Sequence, residues 1–158
     1  MTWAKKQTGF TIVELLIVVV VIAILAAITI VSYNGITSRA NVSKSVSDLR
    51  GMQKLIEMYK VDKGSYPLTS GWRYTNYALP NGGDNFIPGL VPEYAPSLPR
   101  PAAGAYIYNS NGTDYKVMRY GSIPAGEWAV ASSQLTIDGA GTSNSDRYGF
   151  WSPGGVGF

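Results

Sequence analysis

From Phe10 to Tyr33 the chain reads FTIVELLIVVVVIAILAAITIVSY, and no polar residue interrupts it between Leu15 and Ile28. A helix rises about 1.5 Å per residue, so about 20 residues cross a hydrocarbon layer of roughly 30 Å. Inside lipid every backbone group must be satisfied within the segment. A β-branched run that favours strand in water is therefore read here as helix. A cleaved secretory signal fits poorly, because the apolar stretch is too long and no small-x-small cleavage site follows it. Beyond Tyr33 the period changes. Val42, Val46, Leu49, Met52, Ile56 and Tyr59 recur at steps of three and four, with Lys44, Ser47, Asp48, Arg50, Lys54 and Glu57 on the other faces. This is the single apolar stripe of an amphipathic helix. The pattern predicts one helix from about Thr11 to Val61, apolar all round in its first half and one-sided in its second. Its weakest point is Asn34-Gly35, since Gly costs a helix about 1 kcal/mol relative to Ala. Any kink or melted stretch is expected around residues 32–36.

The periodicity stops at Lys63-Gly64. Gly64 can take the left-handed cap, and Pro67 forbids resumption of the helix. Residues 67–104 are rich in Pro, Gly, Asn and aromatics and read as irregular structure. Ala105 to Tyr108 reads as a strand and Tyr115 to Tyr120 as its partner, with the hairpin signal Asn111-Gly112 between them. Glu127 to Leu135 (EWAVASSQL) is expected to be a third strand. The tail from Thr136 is rich in Gly, Ser and Asn and ends in Tyr148-Gly149-Phe150-Trp151. The expected class is α+β: a long N-terminal helix packed on a small antiparallel sheet.

Composition narrows the chemistry. The chain has no Cys and no His among its 158 residues. Thiol nucleophiles, imidazole bases, disulfides and Cys/His zinc sites are excluded, so the tail must be pinned by packing rather than by a staple. No carboxylates cluster at catalytic spacing, and the chain is expected not to be an enzyme. A net charge of +3 is too small to argue for nucleic acid by itself. Arg73, Arg119 and Arg147 do lie near Trp72, Tyr120 and Tyr148, a pairing that suits base stacking with phosphate contact. DNA is therefore a candidate partner. No cofactor is expected. The one metal candidate is calcium, for which Asp138, Asn144 and Asp146 in the loop DGAGTSNSD offer oxygen ligands. Two sequons, Asn41-Val42-Ser43 and Asn111-Gly112-Thr113, occur; Asn111 is better explained by its turn.

One residue of the apolar run is out of place. Glu14 puts a carboxylate in the first turns of a membrane-length helix, where a central acidic residue costs about 3 kcal/mol and a terminal one less. It belongs to the pattern K-K-x-x-G-F-T-x-x-E-L-L, carried by Lys5, Lys6, Gly9, Phe10, Thr11, Glu14, Leu15 and Leu16. That pattern resembles the class III leader of the type IV pilin and type II secretion pseudopilin superfamily. The helix exit Tyr59-x-x-Asp62-x-Gly64-x-Tyr66-Pro67 resembles the one common in these proteins.

The resemblance implies a short leader, residues 1–9, removed by a prepilin peptidase between Gly9 and Phe10 on the cytoplasmic face. It implies N-methylation of the new Phe10 amine, and a carboxylate at Glu14 that pairs with the Phe10 amine of a neighbouring subunit during assembly. It also supplies the orientation, with the head outside, that the basic residues on both flanks leave open. Loss of Lys5 and Lys6 would lower the formal side-chain charge from +3 to +1. The implied segments are a membrane and filament-core helix at 10–33, an amphipathic half at 34–63 and a globular head at 64–158. Many members carry proline at the position of Val31, which this chain lacks.

The function implied first is a structural subunit of a type IV pilus, a cell-surface filament serving motility, adhesion or DNA uptake. The alternative is a major pseudopilin of a type II secretion system. In both, the partners would be further copies of the chain in a helical filament, the membrane, the peptidase, and an assembly platform with its ATPase.

Overall fold

The computed structural model describes residues 9–76, 82–121, 123–134 and 147–157. Helix α1 spans Ile12–Lys63, followed by strand β1 (Arg73–Tyr74), strands β2 (Ala105–Ser110) and β3 (Tyr115–Tyr120), helix α2 (Ala125–Gln134) and strand β4 (Arg147–Trp151). Short 3-10 turns sit at Gly83–Asn85 and Pro153–Gly157. The chain divides into two units, Met1–Thr37 and Ser38–Phe158.

In the first unit the apolar helix buries none of its membrane-length window. Two of its hydroxyls are satisfied within the helix. The Thr29 hydroxyl donates to the carbonyls of Leu25 (3.0 Å) and Ala26 (2.9 Å), and the Thr37 hydroxyl donates to that of Tyr33 (2.9 Å). A hydroxyl that must sit in hydrocarbon avoids a desolvation penalty in this way. The helix passes residues 32–36 without the break expected at Asn34-Gly35. One glycine costs less than a turn of helical hydrogen bonds.

In the second unit the predicted stripe is the core. Val42, Leu49, Met52 and Ile56 are buried against Tyr106, Tyr108, Tyr115, Val117 and Tyr148, with Val46 and Tyr59 partly buried beside them. The helix ends at Lys63 as its punctuation requires. Gly64 adopts φ 81°, and its N–H donates to the Lys60 carbonyl at 2.8 Å.

The sheet is an antiparallel meander in the order β1-β2-β3-β4. Tyr108 faces Val117 and Val117 faces Phe150, so the three side chains share one row. Ile107, Met118 and Gly149 form the row on the opposite face. The Asn111-Gly112 hairpin forms, but as a four-residue loop closed by the Ser110 and Tyr115 pair. Asn111 Oδ1 accepts the N–H groups of Thr113 (2.9 Å) and Asp114 (2.8 Å), and Gly112 takes φ 87°.

One expectation is corrected here. The segment from Glu127 is a helix, not a third strand; Leu135 lies outside the described residues. Glu127 and Ala131 are buried while Ala129 between them is exposed, a period of four rather than two. Pro124 just ahead of the helix and Glu127 in its first turn both favour a helix start, and the Pro124 carbonyl accepts the Trp128 N–H at 2.9 Å. The tail supplies a strand instead. β4 uses Gly149 because its backbone lies close on β3: a Cβ there would sit 2.2 Å from the Val117 carbonyl oxygen. The tail is thereby pinned by a ladder and by inward-facing Tyr148 and Phe150.

Hydrogen bonds from tyrosines to carboxylates fasten the layers. Tyr106 donates to Asp48 Oδ2 (2.7 Å), Tyr66 (3.2 Å) and Tyr115 (3.1 Å) donate to Glu57 Oε1, and Tyr94 donates to Asp62 Oδ2 (3.0 Å). Tyr148 donates to Glu127 Oε1 at 3.0 Å, and Arg119 Nε lies 3.9 Å from the same oxygen. Burial pushes the Tyr106, Tyr115 and Tyr148 hydroxyls well above their ordinary pKa, and the carboxylate beside each adds to the rise.

Candidate processing and assembly site

The N-terminal residues named by the sequence meet in one turn. Gly9 and Phe10 precede the helix and are exposed, with Phe10 82% accessible. Thr11 is the N-cap. Its backbone N–H donates to Glu14 Oε2 at 2.9 Å, and its hydroxyl donates to the same oxygen at 2.7 Å. The Glu14 N–H donates back to Thr11 Oγ1 at 3.2 Å. This is a reciprocal capping box, in which a side chain at each end satisfies an orphan N–H of the first turn.

Three consequences follow. The helix start is fixed two residues beyond the Gly9–Phe10 bond, so that bond lies outside helical geometry and open to a protease. The Glu14 carboxylate enters an apolar segment with two donors already on one oxygen, which lowers the cost of carrying it there. Its other oxygen has no donor among the described residues, so a cation can be accepted there without breaking the cap. Residues 1–8 of the leader lie outside the described residues.

The remaining candidates separate. Asp138, Asn144 and Asp146 lie outside the described residues, and among those described no cluster of three or more acidic side chains could hold a metal ion. Arg119 and Tyr148 are interior, 2% and 0% accessible, and both are bound to Glu127. Buried there, neither offers the exposed stacking or phosphate contact that the sequence suggested for Arg119 beside Tyr120 and Arg147 beside Tyr148. Arg147 lies over the Tyr120 ring at 5.5 Å on the face away from α1.

The sequence reading missed the carboxylates that anchor the head. Asp48 and Glu57 sit next to the buried Leu49 and Ile56 of the stripe. A carboxylate bordering an apolar stripe, with several tyrosines in the segments that must cover it, is the signal that was available.

A long helix whose amphipathic half carries a four-stranded meander, preceded by an exposed Gly-Phe junction and a Thr-x-x-Glu cap, defines the class of pilin-like proteins. Residues 4–30 match the family model described as the prokaryotic N-terminal methylation motif. The chain is 28% identical over 150 residues to the type II secretion system core protein G of Klebsiella pneumoniae, covering 95% of this chain and 98% of that protein. It is 38% identical over 65 residues to the protein of the same name from Vibrio cholerae, and 35% identical over 65 residues to that from Aeromonas hydrophila. Each of these two matches takes in 41% of this chain, and they span under half of those relatives, 44% and 46% of their lengths. No solved structure matches significantly. The chain carries the N-terminal methylation motif and is homologous to the type II secretion pseudopilins, within the type IV pilin and pseudopilin superfamily.

Proposed function

We propose that this chain is a major pseudopilin, the structural subunit of a type II secretion pseudopilus. The observation that carries this reading is the end-to-end match to core protein G of Klebsiella pneumoniae, which extends through the head and not only the leader. The sequence alone ranks the type IV pilus first, because the tail lacks a recognisable pseudopilin pattern; the named relatives reverse that order.

The proposed path begins with a precursor held in the cytoplasmic membrane by residues 10–33. Prepilin peptidase cleaves between Gly9 and Phe10, and the Phe10 amine is methylated. The cation at Phe10 of one subunit then approaches the open oxygen of Glu14 on another, while Thr11 keeps the first. At an effective dielectric near 20, charges about 4 Å apart attract by roughly 4 kcal/mol before desolvation is subtracted. That is enough to select an axial register among otherwise featureless apolar helices. The assembly platform and its ATPase supply the work, and the chain itself performs no catalysis.

The test is deletion of the gene in its own host. Loss of protein secretion, restored by the wild-type chain, with methyl-Phe10 and no leader by mass spectrometry, is the expected result. Intact secretion together with loss of long surface filaments would assign the chain to a type IV pilus instead.

A further inference from the structure

On the pseudopilus reading, we propose that the heads join through a valine-floored basic groove on one copy and an acidic, apolar stretch of α1 on the next. The groove has a volume of about 510 Å³ and lies in the second unit between α1 and α2. Arg39, Ser43, Ser47 and Arg50 line its rim, and Val46 and Val130 are part of its floor. Arg39 and Arg50 are 11 residues apart, about 20° past three full turns, so they project from one side of the helix. Among the described residues no carboxylate lines the groove, and neither guanidinium has a carboxylate partner within 4.0 Å. Arg50 lies over the Phe150 ring at 5.9 Å, which steadies it without neutralising it.

The complement is on the same helix. Lys54, Glu57, Met58, Val61 and Asp62 line a second, shallower depression of about 290 Å³. Met58 and Val61 are 45% and 83% accessible, an unusual exposure for apolar residues on the head half of α1. Glu57 and Asp62 flank them, each held in place by tyrosine hydroxyls but, among the described residues, facing no cation within ion-pair distance. The groove offers two cations and an apolar floor; this stretch offers two anions and an apolar ridge, with one cation, Lys54, beside them.

Two parallel copies offset along the axis by 12 residues bring Arg50 opposite Asp62 and Val46 opposite Met58. The stagger is therefore roughly 18 Å. A second copy is favoured as occupant because groove and ridge are different patches of one chain. Such a heterologous contact does not close on itself in a pair and propagates as an open helical array, as a filament requires.

The chain contains no cysteine, so introduced thiols report without background. The full-length chain would be produced with its assembly machinery as Ser47→Cys, as Met58→Cys, and as the double variant, then mildly oxidised. The interface predicts a ladder of trimers and larger species from the double variant. It predicts dimers alone from mixed single variants, and monomers from either single variant by itself. Adding Arg50→Glu should reduce the ladder at least tenfold, and further adding Asp62→Lys should restore it. A double variant that is folded by near-UV circular dichroism, cleaved, methylated and secretion-competent but gives no ladder overturns the interface and leaves the pseudopilus reading standing. A ladder indifferent to Arg50→Glu, or a cross-link to a protein of different mass, also overturns it. Intact secretion without the chain overturns both.

Discussion

Replacing Glu127 by Gln should destabilise the head by about 3 kcal/mol while changing almost no volume. Glu127 and Arg119 have side chains only 4% and 2% accessible, so solvent does not screen them. At the observed 3.9 Å, with an effective dielectric near 20, their attraction is roughly 4 kcal/mol. The Gln amide oxygen can still accept the Tyr148 hydroxyl that now reaches Glu127 at 3.0 Å. Arg119 also keeps its bonds from Nη1 to the carbonyls of Tyr120 (2.8 Å) and Gly121 (2.9 Å), which offset part of the loss. The remainder is the cost of leaving one buried charge without its partner, for which about 3–5 kcal/mol is usual. In a unit of this size each kcal/mol lowers Tm by about 3–5 °C, so the loss should be about 10 °C. Thermal unfolding of the full chain in detergent, followed by near-UV circular dichroism, measures it. The double variant Arg119→Met, Glu127→Leu removes both charges and should be less damaging than Glu127→Gln alone. A Tm within 2 °C of wild type for Glu127→Gln, or additive losses in the double variant, would refute the claim that the pair is a coupled, desolvated unit.

Glu14→Val should still insert and be cleaved, but should assemble into filaments at a small fraction of the wild-type yield; normal filaments by electron microscopy would remove its role in register. Gly104→Ala should cost more than about 2 kcal/mol in denaturant titration, because Gly104 has φ 65° and a Cβ would fall 2.1 Å from the Gly121 carbonyl oxygen. Alkali should unfold the head from about pH 10 upward. Tyr106, Tyr108, Tyr115 and Tyr148 have folded-state pKa values raised chiefly by burial, so their stabilising contribution is complete below the unfolded value near 10 and is lost as pH rises toward the folded one. Absorbance at the phenolate band should show these four ionising together with the loss of near-UV circular dichroism; their ionisation in a folded head would contradict the burial argument.

The N-terminal half was legible because its physics is local. A membrane-length apolar run has one backbone solution, and Thr11 with Glu14 caps it by contacts three residues apart. The stripe from Val42 to Tyr59, the stop at Gly64 and the β2–β3 hairpin are likewise set by near neighbours and by turn residues with one favoured geometry. The segment from Glu127 was different. Its weak alternation and weak helical period left the choice to its surroundings, and burial of Glu127 beside Arg119 and Tyr148 decided for helix. Strand β4 exists because the edge of β3 is there to pair with it, and Gly149 reads as a loop residue until the Val117 carbonyl comes close. The carboxylates that hold the head to α1 look like ordinary exposed helix residues in sequence. Only the tertiary fold brings tyrosines from about 10 to about 60 positions away onto them, because pairings of that separation depend on how the chain is routed and not on any pattern within it.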